Sequence, residues 1–485
     1  MNRSLILGLS ILVGCVWGCS SDNETSVLGN NRTIEVPDTY SFTSQFADAS
    51  PDTNNVAYTG QTHRHLLTQG LKNEIALLVD RIDANATKDD ALASLTFYYL
   101  FDEAGLDKNI DISVDGVLLQ ESYRDLSGDK PKNLQEKVAG NDATGQYKDW
   151  NAGGQLVGWD DPNTDRYRDG RITPDNLIAY WLNQIADAAV KAKAGETALD
   201  PEGNPVPVEK YFVTAEGHDL QQLVQKFIDG SVAFSQAADD YLDDDTDDKG
   251  LLSDNSQGSD DAPYSTLERA WDEAFGYFGA ARDSDIYSLE AIAGKSDSEK
   301  PYRDSNSDGR IDLSAEYHLG HSINAAKRDI GSSEPKTTFK EDAFRAFRRG
   351  RAIINQAAGR DLSDQEMTLL KEERDKALAN WEKAIAATAV HYINDVIADL
   401  NALGTDDYSF TDAAKHWSEL KGFSLALQFN PHSPVLAKLA ELHTLIGMQL
   451  VTEASEVASY TQKLLAARDI LKEAYAFSQS NVEGW

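Results

Sequence analysis

Cysteine is almost absent from this chain, and its scarcity excludes several classes of chemistry. Only two of the 485 residues are cysteines, Cys15 and Cys19, and both stand among the first twenty. The rest of the chain can therefore form no disulfide bond, no thiolate zinc site and no iron–sulfur cluster, and it offers no cysteine nucleophile. The His-Glu-x-x-His motif of zincin proteases and the Gly-x-Ser-x-Gly motif of serine hydrolases are missing too.

Basic residues are also scarce relative to acidic ones. The chain has 45 Lys and Arg residues against 80 Asp and Glu residues, which gives a formal net charge of −35 at pH 7. Because such a surface repels phosphates and attracts cations, it argues against nucleic acid as a partner and is compatible with metal ions. Hydrophobic residues still make up 41% of the chain, which is enough for a core and excludes disorder of the whole chain.

The first nineteen residues resemble a bacterial lipoprotein signal peptide. Arg3 precedes a short apolar run at 5–13, which is too short to span a bilayer. Cys15 ends a Leu-Val-Gly-Cys lipobox, and Cys19 ends a weaker second match; an ordinary secretory signal is the alternative. We predict lipidation at Cys15, with Cys19 as the second candidate. Since neither cysteine is followed by Asp, the resemblance to Gram-negative lipoproteins implies a lipid anchor in the outer membrane, on its periplasmic face or at the cell surface.

Helical periodicity dominates the sequence after a polar tether predicted at 20–57. Apolar residues recur at spacings of three and four, which predicts an all-α fold of packed helical bundles. These stripes lie at 62–79, 89–103, 175–193, 218–242, 264–281, 340–358, 363–400, 410–428 and 433–478. The two modest strand candidates are 110–119 and 211–214. Loop-like insertions are expected at 140–170 and in the acidic run 239–261, which we interpret as a solvated loop with cation capture as the alternative.

A short internal similarity indicates that the fold contains a duplication. Residues 270–277 align with 416–423, with Trp, Glu and Gly at matching positions and an aromatic residue after each Gly. We therefore predict one helical domain over 58–485, with a first bundle at about 58–300 and a second at about 301–485.

One loop has the spacing of a calcium-binding loop. Oxygen-bearing side chains stand at its positions 1, 3, 5 and 9, and a glycine stands at position 6. Ala315 occupies position 12, where a bidentate carboxylate is usual, and a glutamate follows one residue late. The predicted calcium ligands are Asp304, Asn306, Asp308, Arg310 (through its carbonyl), Asp312 and Glu316. The alternative is an Asx-rich turn before a helix, and in either case the role is structural.

His416 and Glu419 form a candidate transition-metal site. Residues three apart on a helix share a face, and an imidazole with a carboxylate suits zinc, iron or manganese. Glu273 is a candidate third ligand if the two similar helices face each other. The alternative is a surface pair, or a buried histidine held by a carboxylate.

Four segments in this order resemble a family of bacterial lipoproteins that carry a domain of unknown function and are similar to the imelysins. They are 58–62 (Tyr-Thr-Gly-Gln-Thr), 271–278 (Trp-Asp-Glu-Ala-Phe-Gly-Tyr-Phe), 304–316 and 416–423 (His-Trp-Ser-Glu-Leu-Lys-Gly-Phe). The resemblance implies an all-α fold of two bundles, a cell-envelope location and an association with iron uptake. Imelysins carry Gly-x-His-x-x-Glu as a metal site; His416 and Glu419 match it, but Ala414 replaces the glycine.

We therefore expect a cell-envelope lipoprotein that binds a metal ion, iron or zinc, and is associated with iron acquisition, with calcium as a second ion. One alternative is a metallopeptidase that uses the same His/Glu pair. Another is a non-catalytic module that docks on an outer-membrane iron transporter. The expected partners are the outer membrane and such a transporter, and no nucleic acid.

Overall fold

The computed structural model describes residues 27–28, 32–46, 54–142, 145–259, 262–357 and 359–485. The predicted lipidation sites, Cys15 and Cys19, lie outside the described residues, as does the whole signal peptide. No helix in the described ranges is long and apolar enough to serve as a membrane span.

The fold is all-α, as the periodicity predicts. The described residues contain one two-stranded antiparallel pair, β1 (Val27–Leu28) with β2 (Arg32–Thr33), near the start. The α-helices in the described residues are α1 (Thr59–Arg81), α2 (Lys88–Tyr99), α3 (Tyr123–Ser127), α4 (Pro174–Lys193), α5 (Leu220–Ile228), α6 (Thr266–Phe278), α7 (Leu289–Ile292), α8 (Gly320–Gly331), α9 (Phe339–Ala357), α10 (Asp364–Ala402), α11 (Phe410–Ala426), α12 (Leu439–Ile446), α13 (Val457–Tyr475) and α14 (Gln479–Gly484).

Capping residues set several helix starts. Ser265 before α6 and Ser363 before α10 each accept the backbone N–H three residues later, and Glu268 and Glu366 bond back in reciprocal capping boxes. Prediction of strands at 110–119 and 211–214 was wrong. They make only the isolated bridges Leu118–Ile311 and Val213–Asp219, because each segment meets a partner backbone at a single residue, which is too little pairing to form a strand.

The long helix α10 lies at the centre of the fold. It packs against α8, α9, α11 and α13. Five of the described tryptophan side chains are fully buried: Trp150, Trp181, Trp271, Trp381 and Trp417. They belong to one continuous core that includes residues from both predicted bundles. The duplication of the bundles stays a prediction.

Part of the segment predicted as a tether is fixed against α6. The hydroxyl of Tyr40 donates to Asp272 Oδ1 at 2.8 Å, and the hydroxyl of Ser44 donates to Glu268 Oε2 at 2.7 Å. The Tyr40 ring stacks on Phe275 with centroids 3.7 Å apart. Buried aromatic rings in a polar segment therefore give residues 40–44 a fixed place in the core.

The acidic run is only partly the solvated loop that its composition predicts. The helix expected over 218–242 continues beyond α5 as two π-helical segments, Asp229–Phe234 and Ala237–Tyr241. Asp239 is fully buried there and accepts the backbone N–H of Tyr147, and burial raises the pKa of Asp239 to about 8.

A buried carboxyl in α10 gives a pH-dependent prediction. Glu382 accepts hydrogen bonds from Asn430, Ser433 and Tyr475, and burial raises its pKa to about 7. Because the folded pKa lies above the unfolded one, its stabilising contribution is complete below about pH 4.5 and is lost as pH rises through 7. We expect the stability of Glu382→Gln relative to wild type to increase between pH 5 and pH 8, by on the order of 1–3 kcal/mol. Urea unfolding of Glu382→Gln and of wild type at pH 5 and at pH 8 measures this change in relative stability.

Glu366→Gln is the matched control in the same helix. The hydrogen bond from Arg360 lowers the pKa of Glu366 to about 2, so this carboxylate is ionised at both pH values and the effect of its replacement should not change between them. An equal pH trend in the two variants would contradict the assignment to Glu382.

Candidate functional site

A pocket of about 630 Å³ opens beside the first turn of α1. We call it the basic pocket. Its walls come from the start of α1, the segment after α3 and one face of α6. The lining residues are Val56, Ala57, Tyr58, Thr59, Gly60, Gln61, Arg64, Ser127, Lys130, Lys132, Lys137, Tyr241, Tyr264, Arg269 and Glu273.

The basic pocket reverses the charge balance of the whole chain. Five of its lining side chains are basic, and only Glu273 is acidic, whereas the chain has a net charge of −35. Two of the five are held by carboxylates, since Arg269 Nε lies 3.0 Å from Glu273 Oε1 and Lys137 pairs with Asp142. A positive concavity in an acidic surface is a local site for anions.

Arg64 is fixed by backbone carbonyl groups. Its side chain is buried against the wall, and its Nε donates to the carbonyl of Asn133 at 2.8 Å and its Nη1 to the carbonyl of Gly60 at 3.4 Å. No carboxylate in the described part of the chain forms an ion pair with Arg64. Its positive charge is therefore oriented but not neutralised.

Lys130 and Lys132 are the two cations of the basic pocket without an ion-pair or hydrogen-bond partner among the described side chains. Burial and the nearby Arg64 guanidinium lower the pKa of Lys132. The stem of Lys132 lies over α1, so that a Cβ at Gly60 would stand 3.4 Å from its Cε. An anion that enters here would relieve the repulsion among the three cations.

The start of α1 adds to the positive field. Its N-cap residue, Tyr58, offers no side-chain cap, and the first turn contains no acidic residue. The first N–H groups of a helix lack partners within the helix, and the helix dipole places partial positive charge at this end. The basic pocket therefore combines side-chain and backbone donors.

His416 and Glu419 lie close together on α11, but each is engaged by another residue. His416 Nδ1 is 2.8 Å from Asp399 Oδ2, and this hydrogen bond raises the pKa of His416. Glu419 is buried, and its Oε1 lies 3.6 Å from Lys226 Nζ. Its Oε2 has no hydrogen-bond partner among the described residues. The contact with Asp399 favours the protonated form of the imidazole, and protonation and the ammonium group of Lys226 both oppose the binding of a cation.

Glu273, the proposed third ligand, lines the basic pocket, and neither His416 nor Glu419 does so. In the described ranges, no group of three or more His, Cys, Asp and Glu side chains is arranged to hold a metal ion. Metal binding at His416 and Glu419 stays a prediction.

The predicted calcium loop is closed by its own hydrogen bonds. Asp304 accepts the N–H groups of Asp308 and Gly309, and Glu316 Oε1 accepts those of Ser305 and Asn306. Glu316 therefore folds back to the start of the loop despite its late position. Two other predicted ligands also have hydrogen-bond partners: Arg310 donates its N–H to Asp308 within the loop, and Asp312 Oδ1 accepts from the distant Gln120. Calcium in this loop stays a prediction.

The two similar segments bring helices close together through their glycines. A Cβ at Gly276 in α6 would lie 2.5 Å from the Cβ of Tyr58, and a Cβ at Gly422 in α11 would lie 2.6 Å from the Cβ of Lys226. Each glycine permits an approach that a larger residue would block. These positions in the two segments therefore have a packing role.

Comparison with known proteins gives a family. Residues 171–447, more than half of the chain, match the family described as Domain of unknown function (DUF4856). The chain belongs to this family. The DUF4856 region runs from just before α4 to the end of α12, so it includes the calcium-type loop and the His416–Glu419 pair, whereas the α1 wall of the basic pocket precedes it. No curated protein and no solved structure matches the chain significantly.

The basic pocket was not predicted from the sequence, apart from Glu273, which was assigned to another site. The cations come from α1, the segment 130–137 and α6, which lie up to about two hundred residues apart. The one local signal is Lys130-Pro131-Lys132, a basic pair in an acidic chain.

Proposed function

We propose that this DUF4856 protein is an imelysin-like cell-envelope lipoprotein that binds a small anionic ligand in the basic pocket. The observation that supports this is the excess of five basic side chains over one acidic side chain in a pocket of about 630 Å³. Lysine and arginine form strong charge-assisted hydrogen bonds with carboxylate and phosphate groups, which makes these the expected head groups.

The proposal includes an association with iron acquisition. Oxygen ligands such as carboxylates bind hard ions such as Fe³⁺, and a ferric complex of a polycarboxylate carries negative charge. The basic pocket suits such a chelate better than a bare cation. The resemblance to envelope lipoproteins supports lipid attachment at Cys15 or Cys19 in the outer membrane, with an outer-membrane iron transporter as a partner.

Titration of the soluble chain, residues 20–485, with citrate, ferric citrate and inorganic phosphate tests the proposal. We expect binding that Lys130→Met/Lys132→Met weakens by about 100-fold or more, because the double change removes two charge-assisted hydrogen bonds of about 1.5–3 kcal/mol each. Isothermal titration calorimetry at low ionic strength measures it. Lys88→Met/Lys191→Met is the control, since it removes two positive charges from helices that do not line the basic pocket.

Each probe separates one part of the proposal from another. Tighter binding of ferric citrate than of citrate would support iron as cargo, and equal binding would limit the site to the anion itself. The proposal fails if no probe binds, or if the two double variants behave alike.

Direct metal binding is a second candidate, favoured by two observations. Asp399 orients His416 as carboxylates orient histidine ligands in metal sites, and Glu419 Oε2 is buried without a partner. The test is to measure the iron and zinc content of the purified soluble chain and of its His416→Ala/Glu419→Ala variant. About one metal ion per chain in the wild type, absent from the double variant, would establish the site.

A further inference from the structure

A second cavity, of about 400 Å³, lies further along α1 than the basic pocket. We call it the lysine cavity. Three lysines from three helices line it: Lys72 of α1, Lys226 of α5 and Lys327 of α8. It shares no lining residue with the basic pocket.

The ammonium groups of Lys72 and Lys327 have no ion-pair or hydrogen-bond partner in the part of the chain that the structure describes. Lys226 is the exception, because its Nζ lies 3.6 Å from Glu419 Oε1. Burial and the neighbouring Lys226 lower the pKa of Lys72 to about 8, and the same two causes lower the pKa of Lys327. Each ammonium group therefore lies in a partly desolvated place that favours a counter-ion.

The start of α8 borders the lysine cavity. Gly320 and Asn324 of α8 line the lysine cavity, and the N-cap residue Leu319 gives no side-chain cap. The first turn of α8 contains no acidic residue. Partial positive charge of the helix end thus adds to that of Lys327, about two turns further along.

Acidic groups around the lysine cavity offset its positive charge only in part. Two carboxylates, Asp111 and Asp229, line it beside the three lysines, and Asp111 also lies 3.8 Å from Arg81. Burial raises the pKa of Asp229 to about 6 and so disfavours its charged form. Glu419 stands behind Lys226 and is not a lining residue. It is the internal counter-charge of Lys226.

We propose that the lysine cavity is a second anion site, which takes the carboxylate or phosphate head group of a small molecule between Lys72, Lys327 and the start of α8. In this arrangement Glu419 holds Lys226 in place and competes with the ligand for it. The His-x-x-Glu segment would then serve an anion site through its glutamate. The inference does not depend on the basic pocket.

The test uses the soluble chain with Lys130→Met/Lys132→Met already in place, so that the basic pocket does not contribute. Inorganic phosphate and citrate are titrated by calorimetry at low ionic strength. We expect Lys72→Met/Lys327→Met to weaken binding at least tenfold, and Lys72→Arg/Lys327→Arg to retain it. Lys88→Met/Lys191→Met, which removes two remote positive charges, should have no effect.

Glu419→Gln gives the sharpest result because anion and metal hypotheses predict opposite signs. Loss of the competing carboxylate should tighten anion binding a few-fold, whereas a metal ligand lost at this position would weaken metal uptake. Labelling of Lys72 with an amine-reactive reagent, followed by mass spectrometry, gives a second readout, and bound phosphate should slow it.

Three outcomes would overturn the inference. They are no binding of either probe, binding that Lys72→Met/Lys327→Met leaves unchanged, and weaker anion binding in Glu419→Gln. Circular dichroism and the unfolding midpoint of each variant check that the fold is retained. If the double variant unfolds, the single variants Lys72→Met and Lys327→Met take its place, and each is expected to weaken anion binding.

Discussion

Arg351→Met is expected to lower the free energy of unfolding by about 3–5 kcal/mol, among the largest effects of any single substitution in this chain. Arg351 is fully buried, with its Nε 2.9 Å from Asp272 Oδ1 and its Nη1 2.9 Å from Glu268 Oε1. Methionine fills much of the space of the side chain but leaves both carboxylates in the core without their cation. Chemical denaturation at pH 7 measures the loss.

The loss should also depend on pH. Burial raises the pKa of Asp272 to about 6 even beside Arg351, and removal of the guanidinium should raise it further. A carboxyl with a raised folded pKa loses its stabilising effect as pH rises. The free energy of unfolding that Arg351→Met loses relative to wild type should therefore be larger at pH 8 than at pH 5. Arg351→Met/Asp272→Asn should recover part of the loss, because it removes one of the two buried charges.

Lys191→Met is the control for a lost ion pair. Lys191 pairs with Asp187 across one turn of α4, and both side chains are about half exposed. Since exposed pairs contribute little, its unfolding midpoint should match that of wild type. If Arg351→Met also left the unfolding midpoint unchanged, the buried cluster of Arg351, Asp272 and Glu268 would not be a source of stability.

Buried polar residues also explain why the sequence alone predicted only part of the fold. Apolar spacing predicted helices whose buried face is mainly apolar, and α10 and α11 are examples. It missed α8, since the buried face of that helix carries polar residues such as His321, Arg328 and Asp329. Periodicity reports where apolar residues lie, and a helix that buries polar groups has no such signal.

The candidate sites were harder to predict for a different reason. The sequence interpretation grouped Glu273 with His416 and Glu419 because their segments look alike, yet Glu273 lines the basic pocket and Glu419 contacts Lys226. A pocket made of cations from three distant segments depends on tertiary packing. Net charge concealed it, because a whole-chain value of −35 averages over the few places where lysines and arginines meet.

Gly350→Ala is expected to destabilise the fold by about 2 kcal/mol or more, although alanine favours a helix over glycine by about 1 kcal/mol. A Cβ at Gly350 would lie 1.9 Å from Cζ2 of Trp271. The indole cannot move away easily, since it is fully buried and its Nε1 donates to the carbonyl of Phe347 at 2.9 Å. Overpacking against a fixed ring therefore exceeds the gain in helix propensity.

Gly331→Ala is the matched control, because a Cβ there would meet only Cδ1 of Trp485, at an ordinary 3.6 Å. Its thermal midpoint should equal or exceed that of wild type. A smaller ring should relieve the clash, so Gly350→Ala should cost less in a Trp271→Phe background, and the double-mutant cycle measures this coupling. Additive effects would mean that α9 moves away from α6 as a unit, and the close approach of the two helices would then not determine the stability of the fold.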